Sequence, residues 1–265
     1  MSVVTFLTDY GCSDEFVGVC HGVIARIAPQ ASVIDITHGV RRHDVRAGAV
    51  ILRRAIGFMP VGVHLAVVDP GVGGERRAVA LRCAADGHVL VGPDNGLLAA
   101  AAERLGGVAE AIDIGRSPLR LQPVSRTFHG RDIFAPVAAH LAAGTAWPEA
   151  GEPLDPDTLV TLDLPRPRVN ASAVVAHVLT ADGYGNVALD AELGDLAGSG
   201  LKIGGAVSVN GRRALYANAF GDVPEGELVL YEDGFGALAV AVNRGSALEA
   251  LELGLDAEVE LAPAT

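Results

Sequence analysis

The amino-acid sequence predicts an α/β protein, in which an N-terminal, mostly parallel sheet with helices on both faces is followed by a smaller C-terminal antiparallel β domain. Two patterns predict this fold. In the first part of the chain, apolar runs typical of buried strands alternate with stretches of helical periodicity. After the proline-rich, acidic stretch from Trp147 to Arg168, short β-like runs follow one another with turn residues between them. We interpret that stretch as a linker, which predicts domains at residues 1–165 and 166–265.

The N-terminal domain is predicted to alternate between strands and helices. In its first helix, Val19, Val23 and Ile27 lie at helical spacing, and Pro29 ends the pattern. The predicted strands cover Ser2–Thr8, Ser32–Thr37, Val61–Val68, Arg77–Cys83 and His88–Gly92. The predicted helices cover Glu15–Ile27, Asp44–Phe58, Leu97–Leu105 and Arg131–Ala143. Because strands that alternate with helices pair in parallel, we expect helices on both faces of the sheet.

The C-terminal domain is predicted to be a small antiparallel sheet or barrel. Dipeptides that favour tight turns, such as Asn210-Gly211 and Asp233-Gly234, separate its β-like runs. The predicted strands cover Ser172–Thr180, Asn186–Leu189, Ala206–Val209, Arg213–Tyr216, Glu227–Tyr231 and Ala237–Val242. Closely spaced strands of this kind are typical of a compact all-β unit.

The composition excludes several classes of protein. The chain has 265 residues, enough for one large or two modest domains, and its net charge is −12, which argues against a nucleic-acid partner. Half of the residues are hydrophobic and 20% are charged, which argues against disorder. No apolar run reaches the roughly 20 residues that a membrane helix needs. Three cysteines are too few for a disulfide framework, and no signal peptide is recognisable. We expect a cytoplasmic protein with no nucleic-acid or membrane partner.

Polar residues gather where the predicted strands end. Four clusters follow predicted strands, at Thr8–Asp14, Thr37–Gly39, Asp69–Arg77 and Pro93–Gly96, and a fifth, Thr127–Asp132, comes before the long predicted helix. Ligands bind beyond the carboxyl ends of the strands of such a sheet, so several of these clusters should converge on one edge. Each cluster also has a structural explanation; Asp9, for example, could simply accept hydrogen bonds from the next turn. The joint pattern favours a binding site.

The chemistry of these clusters narrows the choice of reaction. The loop Gly71–Gly74 continues into neither a phosphate-binding loop nor a dinucleotide fingerprint, and no serine-hydrolase elbow is present. His38, Asp44 and His129 could bind the metal of a metal-dependent phosphohydrolase. However, no metal-ligand spacing motif occurs among these residues or at His43, the neighbour of Asp44. Asp69, Arg76 and His129 remain. A carboxylate, a guanidinium and an imidazole around one cavity can hold and activate a water molecule.

Five stretches carry a resemblance to a known family. They are Leu7–Gly11 with Asp14, Val68–Gly73, Gly92–Leu98, Thr127–Pro136 and Tyr184–Asn186. Together they resemble the S-adenosylmethionine hydroxide adenosyltransferases, which are related to fluorinase and chlorinase. The resemblance implies an N-terminal α/β domain and a smaller β domain, no metal or other cofactor, and a homotrimer with its active site between subunits. It also implies that water attacks C5′ of the substrate S-adenosylmethionine and releases adenosine and methionine.

The resemblance also implies roles for individual residues. The catalytic aspartate, arginine and histidine fall on Asp69, Arg76 and His129, with Arg77 as the adjacent alternative arginine. The residues implied in substrate binding are Asp9 (ribose hydroxyls), His43 (near the ribose), Asn95, Asp182 (methionine ammonium), Asn186 (adenine) and Arg244 (adenine edge). The family often has a serine where this chain has Gly234, so the backbone N–H groups of Gly234 and Phe235 are the candidates for the methionine carboxylate.

Two sequence features favour water over a halide as the nucleophile. The long insertion of fluorinases is absent between Cys83 and His88, and Asp69 replaces an uncharged residue of the halide enzymes. A carboxylate about 4 Å from a halide opposes its binding by roughly 4 kcal/mol at an effective dielectric constant of 20. A halide-using enzyme, the metal-dependent phosphohydrolase and a sensor that binds without turnover remain the alternatives.

Overall fold

A computed structural model describes residues 3–85, 87–170 and 172–264. The chain divides into two compact units, Met1–Leu162 and Asp163–Thr265. The division after Leu162 lies close to the predicted domain boundary after residue 165. Ser2, the predicted start of the first strand, lies outside the described residues.

The first unit is built on one mixed sheet. Its strands among the described residues are β1 (Val3–Thr8), β2 (Ser32–Thr37), β3 (Val63–Val67), β4 (Ala78–Cys83), β5 (Val89–Pro93), β6 (Val108–Asp113) and β7 (Glu152–Leu154). They lie in the order β2-β1-β3-β5-β4-β6-β7. The pairings from β2 to β5 are parallel, and β4, β6 and β7 extend the sheet through antiparallel pairings. The prediction of a parallel sheet is therefore confirmed for the half of the sheet that carries the polar strand ends.

Helices cover both faces of this sheet, as predicted. They are α1 (Phe16–Ile27), α2 (Val45–Ile56), α3 (Ala99–Arg104), a π-helical turn at Gly130–Phe134 that continues into α4 (Ala135–Ala142), and the short α5 (Trp147–Ala150). Residues of α1 and α4 share one apolar cluster with the sheet, and residues of α2 and α3 share another with the opposite face. Apolar side chains buried on both faces explain why these strands are almost continuously hydrophobic.

The division between the two units falls within the predicted linker from Trp147 to Arg168, but the linker interpretation is wrong for the part before Asp163. Its first half forms α5 and β7, and Leu159 and Leu162 pack against the core of the first unit. The backbone N–H of Val160 also donates to Asp94 at 2.9 Å. Pro148 lies in the first turn of α5 and Pro153 lies within β7, so proline content alone did not distinguish a linker from an ordered surface segment. Strand β6 and the π-helical geometry at the start of the fourth predicted helix were not predicted from the sequence.

The second unit is a β-barrel. Its strands are β8 (Arg168–Val169), β9 (Val174–Ala181), β10 (Val187–Glu192), β11 (Ala206–Val209), β12 (Arg212–Tyr216), β13 (Leu228–Glu232), β14 (Ala237–Val242) and β15 (Glu258–Pro263), with the helix α6 at Ala247–Ala250. The order is β10-β14-β13-β12-β11-β15-β9-β8, and a further pairing of β10 with β9 closes the barrel. Every pairing is antiparallel except that of β12 with β13. Closure removes most free strand edges, which is how a small all-β unit avoids pairing with other chains. Among the described residues, no helix has the length and apolar character required to cross a membrane.

Candidate active site

The loop after β3 brings together the three residues that were predicted to activate water. Asp69 follows the buried end of β3 by two residues, and the chain then turns back through Gly71–Gly74 to Arg76. Gly73 has φ +76°, and a Cβ there would lie 2.2 Å from the carbonyl oxygen of Arg126. Only glycine fits this tight turn, which returns Arg76 to the carboxylate seven residues before it.

Asp69, Arg76 and His129 form one hydrogen-bonded network. Arg76 Nε donates to both oxygens of Asp69, at 2.9 and 3.0 Å, and Arg76 Nη2 donates to Oδ2 as well. Arg76 Nη2 also lies 2.8 Å from Nδ1 of His129. The side chains of Arg76 and Asp69 are only 11% and 5% exposed, so water screens this ion pair weakly. The guanidinium also lies over the ring of Phe134, 5.0 Å from its centroid.

The structure distinguishes the two candidate arginines. Arg77 turns away from Asp69: its Nε donates to Asp94 at 2.7 Å, and its Nη1 donates to Thr158 at 3.0 Å. The side chains of neighbouring residues on an extended segment point to opposite sides, so one arginine reaches the network and the other secures the segment after β7. Arg76 is therefore the arginine that contacts both Asp69 and His129.

His129 is held as a neutral imidazole. Burial and the positive charge of Arg76 lower the pKa of His129 below its ordinary value. Since a guanidinium can only donate, Nδ1 of His129 accepts the hydrogen bond from Arg76, and the neutral ring carries its proton on Nε2. His129 can thus donate a hydrogen bond from Nε2 without carrying a charge.

A cavity of about 450 Å³ borders this network and is lined by polar and aromatic side chains. It is lined by Asp9, Tyr10, Asp14, Phe16, Arg42, His43, Val67, Asp69, Val72, Thr127, Phe128, His129 and Gly130. Among these, Asp9 Oδ2 accepts a hydrogen bond from the backbone N–H of His43 at 2.8 Å. His43 itself has φ +65°, a left-handed conformation that brings its N–H to the carboxylate. Volumes of this size are typical of small-molecule sites.

Tyr10 is a cavity residue that the sequence analysis did not single out. Its ring packs at 5.9 Å from both Phe16 and Phe128, and burial raises the pKa of its hydroxyl well above the usual value. A Cβ at Gly130 would lie 2.0 Å from the Tyr10 hydroxyl, so glycine makes room for this side chain. The signal available in the sequence was its position directly after Asp9 in the first polar cluster.

In the second unit, two of the predicted binding residues lie together. Asp182 Oδ2 accepts from the side-chain amide of Asn186 at 2.8 Å, and Asp182 Oδ1 accepts from the backbone N–H groups of Tyr184 and Asn186. A second cavity, of about 570 Å³, is lined by Tyr184, Asn186, Phe220, Val242, Asn243, Arg244 and Gly245. Tyr184 is 82% exposed, which leaves its ring free to stack on a planar ligand.

Three other predicted binding residues, Asn95, Phe235 and Arg244, contact other residues of the chain. The side-chain amide of Asn95 donates to the carbonyl of Val68 at 2.9 Å and accepts from Leu97 N, so Asn95 braces the loop before Asp69. The N–H of Phe235, next to Gly234, already donates to Asp233 at 2.8 Å. Arg244 has φ +57° and pairs with Glu225 at 3.1 Å.

The residues of the metal-dependent alternative do not form one group. Asp44 caps α2 by accepting from Ala47 N at 2.9 Å, and His129 is bound to Arg76. Within the described residues, His38 groups instead with His21 and Asp35.

Comparisons with known proteins agree with one another. The family model for the SAM hydroxide adenosyltransferase N-terminal domain matches residues 4–151, and that for the C-terminal domain matches residues 176–260. An (R)-S-adenosyl-L-methionine hydrolase from Salinispora tropica is 50% identical over 94% of this chain and 93% of its own length. One from Thermus thermophilus is 40% identical over 96% of both chains. A fluorinase from Nocardia brasiliensis is 27% identical over 92% of this chain and 91% of its own.

A solved structure of an uncharacterized conserved protein from Thermotoga maritima superposes with a TM-score of 0.92 at 38% identity, and covers 98% of this chain and 99% of its own. The predicted resemblance is confirmed by these matches, which extend over both units. The chain belongs to the SAM hydroxide adenosyltransferase family.

Proposed function

We propose that this protein hydrolyses the R epimer of S-adenosyl-L-methionine to adenosine and L-methionine. The observation that carries the proposal is the network of Asp69, Arg76 and His129, in which Asp69 and His129 line a ligand-sized cavity. Relatives named (R)-S-adenosyl-L-methionine hydrolase, at 40–50% identity over most of the chain, support the substrate and the epimer.

The hydrolysis requires the protein to position and activate a water molecule and little more. A bond forms between the water oxygen and C5′ while the C5′–S bond breaks, and the electron pair of that bond goes to the sulfur. The positive sulfonium becomes a neutral thioether, so the leaving group needs no proton. An in-line arrangement of water and C5′–S bond can supply several kcal/mol of rate acceleration.

The network supports a division of roles among the three side chains. Asp69 accepts the proton of the attacking water, and Arg76 stabilises the hydroxide character that develops on its oxygen. His129 orients the water as a donor through Nε2, because its Nδ1 is engaged by Arg76 at 2.8 Å. The proton then passes from Asp69 to solvent. In this scheme the hydrolysis uses no metal or other cofactor.

The cavity supports Asp9 as the residue that binds the ribose. A carboxylate can accept hydrogen bonds from two neighbouring hydroxyl groups, and Asp9 is held in place by the backbone N–H of His43. Asp182, Asn186 and Arg244 are proposed to contact the adenine and methionine ends, as the family resemblance implies.

We also propose that the protein forms a homotrimer with the substrate bound between neighbouring subunits. Light scattering after size-exclusion chromatography tests the trimer. Mixing inactive Asp69→Asn and Asn186→Ala proteins, with subunit exchange, tests the shared site: activity regained in the mixture supports it, and a mixture as inactive as its components contradicts it.

A chromatographic assay with an epimeric mixture of S-adenosylmethionine tests the function. We expect adenosine and methionine in equal amounts, the S epimer left over, and the same rate in EDTA. At millimolar halide, formation of 5′-halo-5′-deoxyadenosine without adenosine would overturn hydrolysis in favour of the halide reaction. Activity that is lost in EDTA and restored by a divalent ion would instead support the metal-dependent alternative.

A further inference from the structure

Two histidines and an aspartate converge at the β2 edge of the first sheet, outside the residues used for hydrolysis. His21 lies on α1, Asp35 lies on β2, and His38 follows the end of β2. Oδ1 of Asp35 lies 2.9 Å from Nε2 of His21 and 3.1 Å from Nε2 of His38. Within the part of the chain that the structure describes, this is the one group of three or more His, Cys, Asp or Glu residues whose ligand atoms all lie within 4.8 Å of one another.

These spacings match those of ligands around a small divalent ion. With metal–ligand distances of 2.0–2.2 Å, two ligands of a tetrahedral ion lie about 3.3–3.5 Å apart. The two oxygen–nitrogen distances here are 0.2–0.6 Å shorter than that, so binding an ion requires only a small outward movement of half-exposed side chains. Asp35 and His21 are 42% and 35% exposed, which gives an ion access from solvent.

His38 is the most buried member of the group, and its Nε2 atom lacks a well-placed hydrogen-bond partner. The His38 side chain is only 4% exposed, and its Nε2 is a buried atom that makes no geometrically acceptable hydrogen bond, even to the Asp35 oxygen 3.1 Å away. The other ring nitrogen, Nδ1, lies 2.8 Å from the hydroxyl of Thr8. When Nδ1–H donates to Thr8, Nε2 carries a lone pair only 3.1 Å from the carboxylate oxygen, and two such acceptors repel unless a cation lies between them.

The surroundings hold both imidazoles in place. The fully buried ring of Phe6 packs against both, with ring centroids 5.9 Å from His21 and 4.9 Å from His38. A hydrogen bond from the second ring nitrogen of a ligating histidine is a usual feature of metal sites, and Thr8 offers that partner to His38. His38 is thus preset in orientation before any ion binds.

We propose that His21, Asp35 and His38 form a binding site for a divalent transition-metal ion such as Zn²⁺, Co²⁺ or Ni²⁺. Two imidazole nitrogens and one carboxylate oxygen suit these ions, whereas Mg²⁺ and Ca²⁺ prefer a shell of oxygen atoms. Water supplies the fourth ligand at the exposed side. The ion joins α1 to the edge strand β2, so its effect is on the stability of the first unit.

Metal titration of the untagged, chelator-treated full-length protein tests the proposal. Calorimetry with Zn²⁺ should give one site per chain, and Co²⁺ should develop the d–d absorption of a low-coordinate complex. Asp35→Asn keeps the shape of the side chain, and His21→Ala removes a half-exposed ligand. Each is expected to weaken Zn²⁺ binding by at least about tenfold, the lower limit seen when even a residue outside the ligand shell is lost.

His177→Ala is the matched control. His177 also contacts two acids, but Asp190 meets its Nδ1 at 2.8 Å and Glu258 meets its Nε2 at 3.8 Å, so the two acids cannot share one ion with it. This variant should bind Zn²⁺ as the wild type does. Zn²⁺ should raise the melting temperature of the wild type and of His177→Ala but not that of Asp35→Asn.

The proposal is overturned if the wild type shows no saturable binding, or if Asp35→Asn and His21→Ala, folded by circular dichroism, bind Zn²⁺ as tightly as the wild type. Because binding and melting are read without substrate, neither outcome depends on whether the protein hydrolyses S-adenosylmethionine.

Discussion

Asp69→Asn is the substitution that examines the catalytic network most directly. Asparagine keeps the size of the side chain but removes its charge, and it turns one acceptor oxygen into a donor that faces the N–H groups of Arg76. The wild-type carboxylate accepts from Arg76 Nε with both oxygens and is only 5% exposed. The variant therefore leaves a buried guanidinium without its counter-charge.

The expected loss of stability follows from that geometry. Removing one partner of a buried ion pair costs about 3–5 kcal/mol. In a unit of this size, each kcal/mol of lost stability lowers the melting temperature by about 2–4 °C. A loss of about 3 kcal/mol therefore lowers the melting temperature by about 6–12 °C.

The expected loss of activity has a different cause. Without the carboxylate, no group in the network can accept the proton of the water, and kcat should fall by about 10²–10⁴-fold. KM should change little, because Asp69 is assigned to the water and not to the substrate. Steady-state chromatography of adenosine formation, at a temperature where the variant is folded, measures both constants.

Asp94→Asn is the matched control. Asp94 is also buried and also pairs with an arginine, Arg77, but it does not line the cavity at Asp69. This variant should lose comparable stability and keep its kcat. Unchanged kcat in folded Asp69→Asn would refute the assignment, as would an equal loss of kcat in both variants, which would trace the effect to stability alone.

Three further predictions address neighbouring features. Arg76→Ala should lower turnover at least about tenfold and Arg77→Ala by less than about threefold, because only Arg76 contacts Asp69; equal losses in steady-state assays would contradict this. Gly130→Ala should cost about 1–3 kcal/mol in denaturant unfolding, since the new Cβ would lie 2.0 Å from the Tyr10 hydroxyl; unchanged stability would show that Tyr10 can move freely. Burial and His88 lower the pKa of His64 from 6.5 to about 4, so about 3 kcal/mol of stability present above pH 6.5 should be lost mostly by pH 4; His64→Gln should flatten that pH dependence, and an unchanged slope would exclude His64 as its source.

Much of the fold followed from local patterns. The strand at Ser32–Thr37 and those at Ala206–Val209 and Ala237–Val242 have the predicted bounds, because apolar runs bounded by turn residues leave little choice of limits. The segment after Trp147 was misjudged since its apolar residues, such as Leu162, are sparse and pack on a core distant in sequence. Strand β6 was missed for a similar reason, because only Ala111 and Ile112 of its six residues are buried.

The amino-acid sequence was enough to establish the α/β class, the β-rich second unit and the family, since these depend on periodicity and on motifs that can be compared without coordinates. It also located Asp69, Arg76 and His129 at strand and helix ends. The folded structure was needed to show that Arg76 and not Arg77 joins the network, that His129 accepts through Nδ1, and that His21, Asp35 and His38 meet at one sheet edge. These outcomes depend on the direction of side chains across segments far apart in sequence, and such directions are set by packing and not by local preference.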